Sequence, residues 1–190
     1  MSIVRMLCAL LASGWFFFLP QLSHSQEPKK LEIISVGIRG GINLDPGGIP
    51  PGEKEDFQQF DVFGILGFPG SWEWPRGWEA RYRWYASAGV IRAAGDEGFI
   101  ATLGPGLAFT KWDWNVTLEF GTGAVFVGDE TFGEQDFGGP VQILGHGGVS
   151  YHFPEHITLG WRFQHFSDAA LYGNDNRGVD LHFLELSYRF

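Results

Sequence analysis

His165-Phe166-Ser167 carries an imidazole and a hydroxyl two residues apart, and a carboxylate, Asp180, follows them in the chain. On an extended strand, residues i and i+2 point the same way about 6.5 to 7 Å apart, so a bend or bulge brings the ring to the hydroxyl. A serine hydroxyl alone is a poor nucleophile. A hydrogen-bonded histidine removes its proton, while an acid on the far side of the ring holds the tautomer and stabilises the imidazolium. The chemistry open to such a trio is nucleophilic catalysis by an activated serine. His-x-Ser by itself is a weak motif, so its weight depends on the elements that bring Asp180 alongside.

Those elements read as strands. Across Trp78 to Val90, the residues Trp78, Ala80, Tyr82, Trp84, Ala86, Ala88 and Val90 alternate with Glu79, Arg81, Arg83, Tyr85 and Ser87, which gives one apolar and one polar face. The same alternation recurs in segments 31–43, 57–69, 78–92, 99–109, 114–127, 140–153, 156–167 and 179–190. Each has the nine residues or more that a tilted transmembrane strand requires, and their number is even. The connections alternate in kind: Leu44 to Asp56, Ala93 to Gly98, Gly128 to Gly139 and Asp168 to Gly178 at one end, and the short turns Lys111-Trp112-Asp113 and Pro154-Glu155 at the other, with Gly70 to Gly77 as an exception. The expected fold is all-β, an eight-stranded antiparallel up-and-down transmembrane barrel with long loops outside the cell and periplasmic termini. Trp72, Trp74, Trp112 and Trp114 flank the short turns as an interfacial aromatic belt would, and the last strand ends on Phe190.

Composition agrees. Of 190 residues 44% are hydrophobic and only 18% charged, with 28 glycines, so disorder and coiled coil are excluded. Arg5, the uncharged run Leu7 to Leu19 and the small residues before Gln26 read as a secretory signal over residues 1–25, leaving a barrel domain over 26–190. Cys8, the single cysteine, falls in that segment, so the exported chain forms neither disulfide nor zinc-thiolate site. Losing Arg5 leaves 12 basic against 22 acidic residues, a net charge of −10 that argues against a nucleic-acid partner.

Counting parity along the seventh and eighth segments sets His165 and Ser167 on the face of Trp161, and Asp180 and His182 on the face of Leu184. That is the lipid-facing side, where polar groups cost free energy. Two readings stay open: three polar groups held toward the bilayer for chemistry, or strands that end below them and leave all three in water. The opposite face carries Arg39, Asp61, Glu79, Arg81, Arg83, Glu119, Arg162, Glu185 and Arg189, charges of both signs able to pair across a lumen that side chains fill. A porin is not expected, and a lipocalin-type barrel would carry more charge on its polar face.

The run His165-Phe166-Ser167-Asp168-Ala169-Ala170, then Asn174-Asp175-Asn176-Arg177-Gly178-Val179-Asp180 and a final strand ending in Phe, resembles the C-terminal signature of the lipid A 3-O-deacylase (PagL) family. The resemblance implies an esterase of the Gram-negative outer membrane that removes the 3-O-linked 3-hydroxyacyl chain of lipid A. It implies Ser167 as nucleophile, His165 as general base and then acid, and Asp180 as the orienting carboxylate. Asn176 takes the place of a loop asparagine of the oxyanion site, and the backbone N–H groups of Ala169 and Ala170 are further candidate donors. Neither metal nor cofactor is implied; the partner is lipopolysaccharide in the membrane, and a homodimer is left open. The chain departs from the family in Asp168, where members carry Asn, and in Asp180, where they carry Glu. A non-enzymatic scaffold or adhesin is the rival, its acidic loop residues (Glu53, Glu55, Asp56; Asp129, Glu130, Glu134, Asp136) meeting cations or partners. A metal site built from His146, His152, His165 and His182 lacks ligand spacing on one face.

Overall fold

The computed structural model describes residues 31–44, 53–173 and 178–190; the expected signal segment and Asn176 lie outside the described residues. Among these residues, eight long strands build the barrel: β1 (Glu32–Ile42), β2 (Gln58–Gly67), β4 (Trp78–Ala93), β5 (Asp96–Lys111), β6 (Val116–Val127), β9 (Val141–His152), β10 (Ile157–Ser167) and β11 (Gly178–Arg189). Short β3 (Trp72–Trp74) extends the edge of β4, and β7 (Thr131–Phe132) pairs with β8 (Gln135–Asp136) in a loop hairpin. Every barrel strand pairs antiparallel with its neighbours. β1 closes the ring against β11, from Ser35 opposite Arg189 to Ile42 opposite His182. Strands of 10 to 16 residues are long enough for a tilted span.

The two faces separate as the alternation requires. Ile38, Val62, Phe120, Trp161 and Leu184 stand 47 to 64% exposed on the outside, an apolar surface that water would not tolerate but a bilayer satisfies. Inside, Arg162 donates from Nε to Glu185 (2.6 Å) and from a terminal nitrogen to Glu119 (2.7 Å), Arg83 holds the other Glu119 oxygen at 2.7 Å, and Arg39 pairs with Asp61 at 2.7 Å. Each of these buried charges is thus matched, as low dielectric demands. Bulky Tyr85 and His146 fit this narrow lumen because the strands facing them carry glycine: a Cβ on Gly106 would stand 2.7 Å from the Tyr85 ring, and one on Gly121 2.3 Å from His146 Nε2. A cavity of about 170 Å³ remains in the periplasmic half.

One connection differs from expectation. Ala93 to Gly98 is not a loop: β4 and β5 run on into it and meet through Ala94 and Gly95, with φ of 53° and 89°. Two consecutive left-handed residues make the tight hairpin turn whose twist matches the strands, and Arg92 pairs with Glu97 just below it. Gly70 to Gly77, the irregular short connection, contains β3 and so folds back as a hairpin.

At the extracellular end the barrel is plugged. Phe57 comes from the β1–β2 connection and Phe132 and Phe137 from the β6–β9 connection, each ring 5.8 or 5.9 Å from the others, and all three are fully buried or nearly so. Phe166 of β10 joins them at 5.6 Å from Phe137.

Candidate active site on the outer wall

β10 and β11 pair in a register that sets His165 opposite Asp180 and Ser167 opposite Gly178. Alternation then brings these four positions together on the outer face. Both strands reach these positions, β10 ending on Ser167 and β11 starting at Gly178, so the strands do not stop below them.

His165 Nδ1 lies 2.6 Å from Asp180 Oδ1. An ionised carboxylate only accepts hydrogen bonds, so Nδ1 carries the proton and Nε2 is left as the basic nitrogen. The Asp180 side chain is 3% exposed and that of His165 18%, so the bond operates with little competition from water. Asp180, shorter by a methylene than the family's glutamate, reaches the ring because cross-strand register places the two backbones directly opposite.

Ser167 is brought to the same place without a bond to the ring: among the described residues no hydrogen bond joins its hydroxyl to His165. The geometry around Gly178 relates them. A Cβ at that position would stand 3.1 Å from His165 Cε1 and 3.1 Å from Ser167 Cβ, so ring and serine border one small space left open by the missing side chain. On the other flank His165 pairs with Gly145 of β9, where a Cβ would meet nothing within 4 Å. The imidazole is therefore open sideways toward the bilayer.

The residues between and beside the trio are anchored from within. Phe166 is fully buried in the aromatic plug, and the Gln164 side-chain oxygen accepts from Arg39 at 3.3 Å. These inward contacts fix the outward bearing of His165 and Ser167, since one residue of slip would reverse the faces.

Asp168 is fully buried, and its Oδ1 accepts the N–H of Ala170 at 3.2 Å while its carbonyl accepts that of Leu171 at 2.8 Å. Ala169 and Ala170 both have left-handed φ, 47° and 63°. The Ala170 amide is thus engaged by Asp168 in a tight turn, and of the two alanines Ala169 is the better placed to offer a donor. His182 stands on the same outer face, its ring 5.7 Å from Trp161 and 5.2 Å from Phe163, and joins the aromatic wall. His146 and His152 face the lumen, bonded to Arg162 and Thr117, and no group of metal-ligating residues forms among the described residues. Of the loop acids, Glu55 accepts the N–H of Glu134 and Asp136 that of Gly138, both at 2.7 Å. Sequence reasoning missed Gly178 and Gly145, whose only signal is that glycine stands directly across from His165 or Ser167 once the register is known.

The comparisons with known proteins bear on this wall. No curated protein sequence matches the chain. Among solved structures, the crystal structure of the outer membrane enzyme PagL superposes with a TM-score of 0.63 at 16% identity, covering 82% of this chain and 99% of that one. The Yersinia pestis outer membrane protein Ail in a phospholipid nanodisc follows at a TM-score of 0.44 and 12% identity, with 83% and 99% covered. The family model described as lipid A 3-O-deacylase (PagL) matches residues 64–189, a span that includes β10, β11 and the whole His165, Ser167 and Asp180 constellation. The chain belongs to the PagL family of outer-membrane β-barrels.

Proposed function

We propose that this protein is a serine esterase that removes the 3-O-linked 3-hydroxyacyl chain from lipid A in the outer leaflet. The observation that carries the reading is the 2.6 Å bond between His165 and Asp180 beside Ser167 on the membrane-facing wall, in a chain of this family. Rotation of the Ser167 hydroxyl toward Nε2 is the movement the chemistry requires, and catalytic hydrogen bonds commonly tighten only with substrate bound.

Ser167 Oγ attacks the ester carbonyl carbon as its proton passes to His165 Nε2, and negative charge gathers on the carbonyl oxygen. The backbone N–H of Ala169, with the side chain of Asn176, is the donor set assigned to that oxygen; one such donor contributes about 3 to 4 kcal/mol in the transition state. Collapse of the intermediate breaks the bond to the sugar oxygen, which takes the proton from Nε2. Water then adds to the acyl-enzyme, giving its proton to Nε2, and the fatty acid leaves as Ser167 is reprotonated. The flank left open by Gly145 lets an ester diffuse to the ring within the membrane. A fluorophosphonate probe tests the nucleophile: it labels the wild-type barrel and not Ser167→Ala. Absence of labelling in the wild type favours the scaffold reading.

A further inference from the structure

Pairing between β1 and β11 stops at Ile42 opposite His182, below the site. Two residues further up, the N–H of Asp180 is taken by a side chain instead: Glu53 Oε1 accepts it at 2.5 Å. A carboxylate on a backbone amide is a charge-assisted bond, stronger than the ladder bond it replaces.

Glu53 is presented by a strap rather than a loose loop. The N–H of Lys54 donates to Gln135 (3.0 Å), Glu55 Oε1 accepts from Glu134 (2.7 Å), Asn43 binds both the Glu55 carbonyl (3.1 Å) and the Phe57 N–H (2.6 Å), and Phe57 is buried in the aromatic plug. Residues 53 to 57 therefore run from the plug to the edge of β11 and deliver one carboxylate to the backbone of the residue that orients His165. Because the Asp180 side chain is short, the position of its backbone decides whether Oδ1 meets Nδ1.

We infer that Glu53 is a positioning residue for this site: it acts through Asp180, by hydrogen-bond acceptance at the Asp180 N–H. The inference rests on the esterase reading for its catalytic consequence, while the clasp itself is measurable without it. The experiment compares wild type, Glu53→Ala and Glu53→Gln, each refolded in detergent and checked for a native barrel by its heat-shifted mobility in SDS gels. Amide exchange by NMR reads the clasp: the Asp180 N–H exchanges faster in Glu53→Ala and stays protected in Glu53→Gln, which keeps an acceptor oxygen.

Fatty-acid release from lipid A micelles reads the consequence: kcat falls at least about tenfold in Glu53→Ala with KM changed less than about threefold, and Glu53→Gln recovers most of kcat. Unchanged Asp180 exchange in Glu53→Ala overturns the inference. So does unchanged kcat, or a Glu53→Gln variant as impaired as Glu53→Ala. If the wild type itself releases no fatty acid, the esterase reading fails and the exchange data alone judge the clasp. Should Glu53→Ala not fold, Glu53→Asp, which withdraws the carboxylate by one methylene, takes its place with the same expected loss.

Discussion

Asp180→Asn changes one oxygen to an NH2 group in a side chain that is 3% exposed and bonded to His165 Nδ1 at 2.6 Å. The volume is conserved and the backbone register with His165 is untouched, so the barrel folds. What changes is the proton. If the amide turns its NH2 to the ring, Nδ1 must accept, the proton moves to Nε2, and the nitrogen facing Ser167 can no longer act as a base. If it turns its oxygen instead, the tautomer survives but no charge faces the imidazolium that forms in the transition state. Replacing the acid in this way costs a serine hydrolase about 10⁴ in kcat, roughly 5.4 kcal/mol. The assay is mass spectrometry of lipid A from membranes holding equal amounts of heat-shiftable barrel, followed over time to give a rate. A loss of about 10³-fold or more with KM little changed agrees with an orienting carboxylate. Activity within about tenfold of wild type refutes it, because a carboxylate that orients a catalytic ring is not so dispensable.

Further outcomes follow from neighbouring contacts. Gly178→Val introduces atoms into the space 3.1 Å from both His165 Cε1 and Ser167 Cβ, and abolishes fatty-acid release while the gel shift of the barrel persists. Phe166→Ala empties a fully buried position in the plug and destabilises the barrel by about 3 to 5 kcal/mol in denaturant titrations followed by tryptophan fluorescence. It also lowers kcat, because the outward bearing of His165 and Ser167 depends on that inward anchor. Arg162→Met removes the cation between Glu119 and Glu185 and costs about 3 to 5 kcal/mol by the same titration. Fatty-acid release per folded barrel stays within about twofold, since Arg162 bonds Glu119, Glu185 and His146 while the inward anchors of the site, Gln164 on Arg39 and Phe166 in the plug, keep their contacts.

The barrel was legible because its signal is redundant: period-two alternation recurs in every strand, so an error at one boundary leaves the others standing. The hairpin at Ala94 and Gly95 was misjudged because Gly-Asp-Glu-Gly has the composition of a loop, while the strands are prolonged by cross-strand pairing that local composition does not encode. His165, Ser167 and Asp180 could be found by parity, which needs only distance along each strand. Gly178 and Gly145 could not, since what matters there is the atom missing across a strand pair. Glu53 stood in sequence only as one of the acidic loop residues open to cations or partners; its bond to Asp180 spans 127 positions of sequence and depends on where Phe57 docks in the plug.

The central claim is that Ser167 on the lipid-facing wall opens the 3-O ester of lipid A. Mass spectrometry of lipid A from outer membranes containing the wild-type protein or Ser167→Ala tests it most directly. The account predicts that the wild type yields lipid A lighter by one hydroxyacyl group at the 3-position, and that Ser167→Ala, present in equal folded amount, leaves lipid A whole. Lipid A deacylated equally by both proteins, or left intact by the wild type, contradicts it.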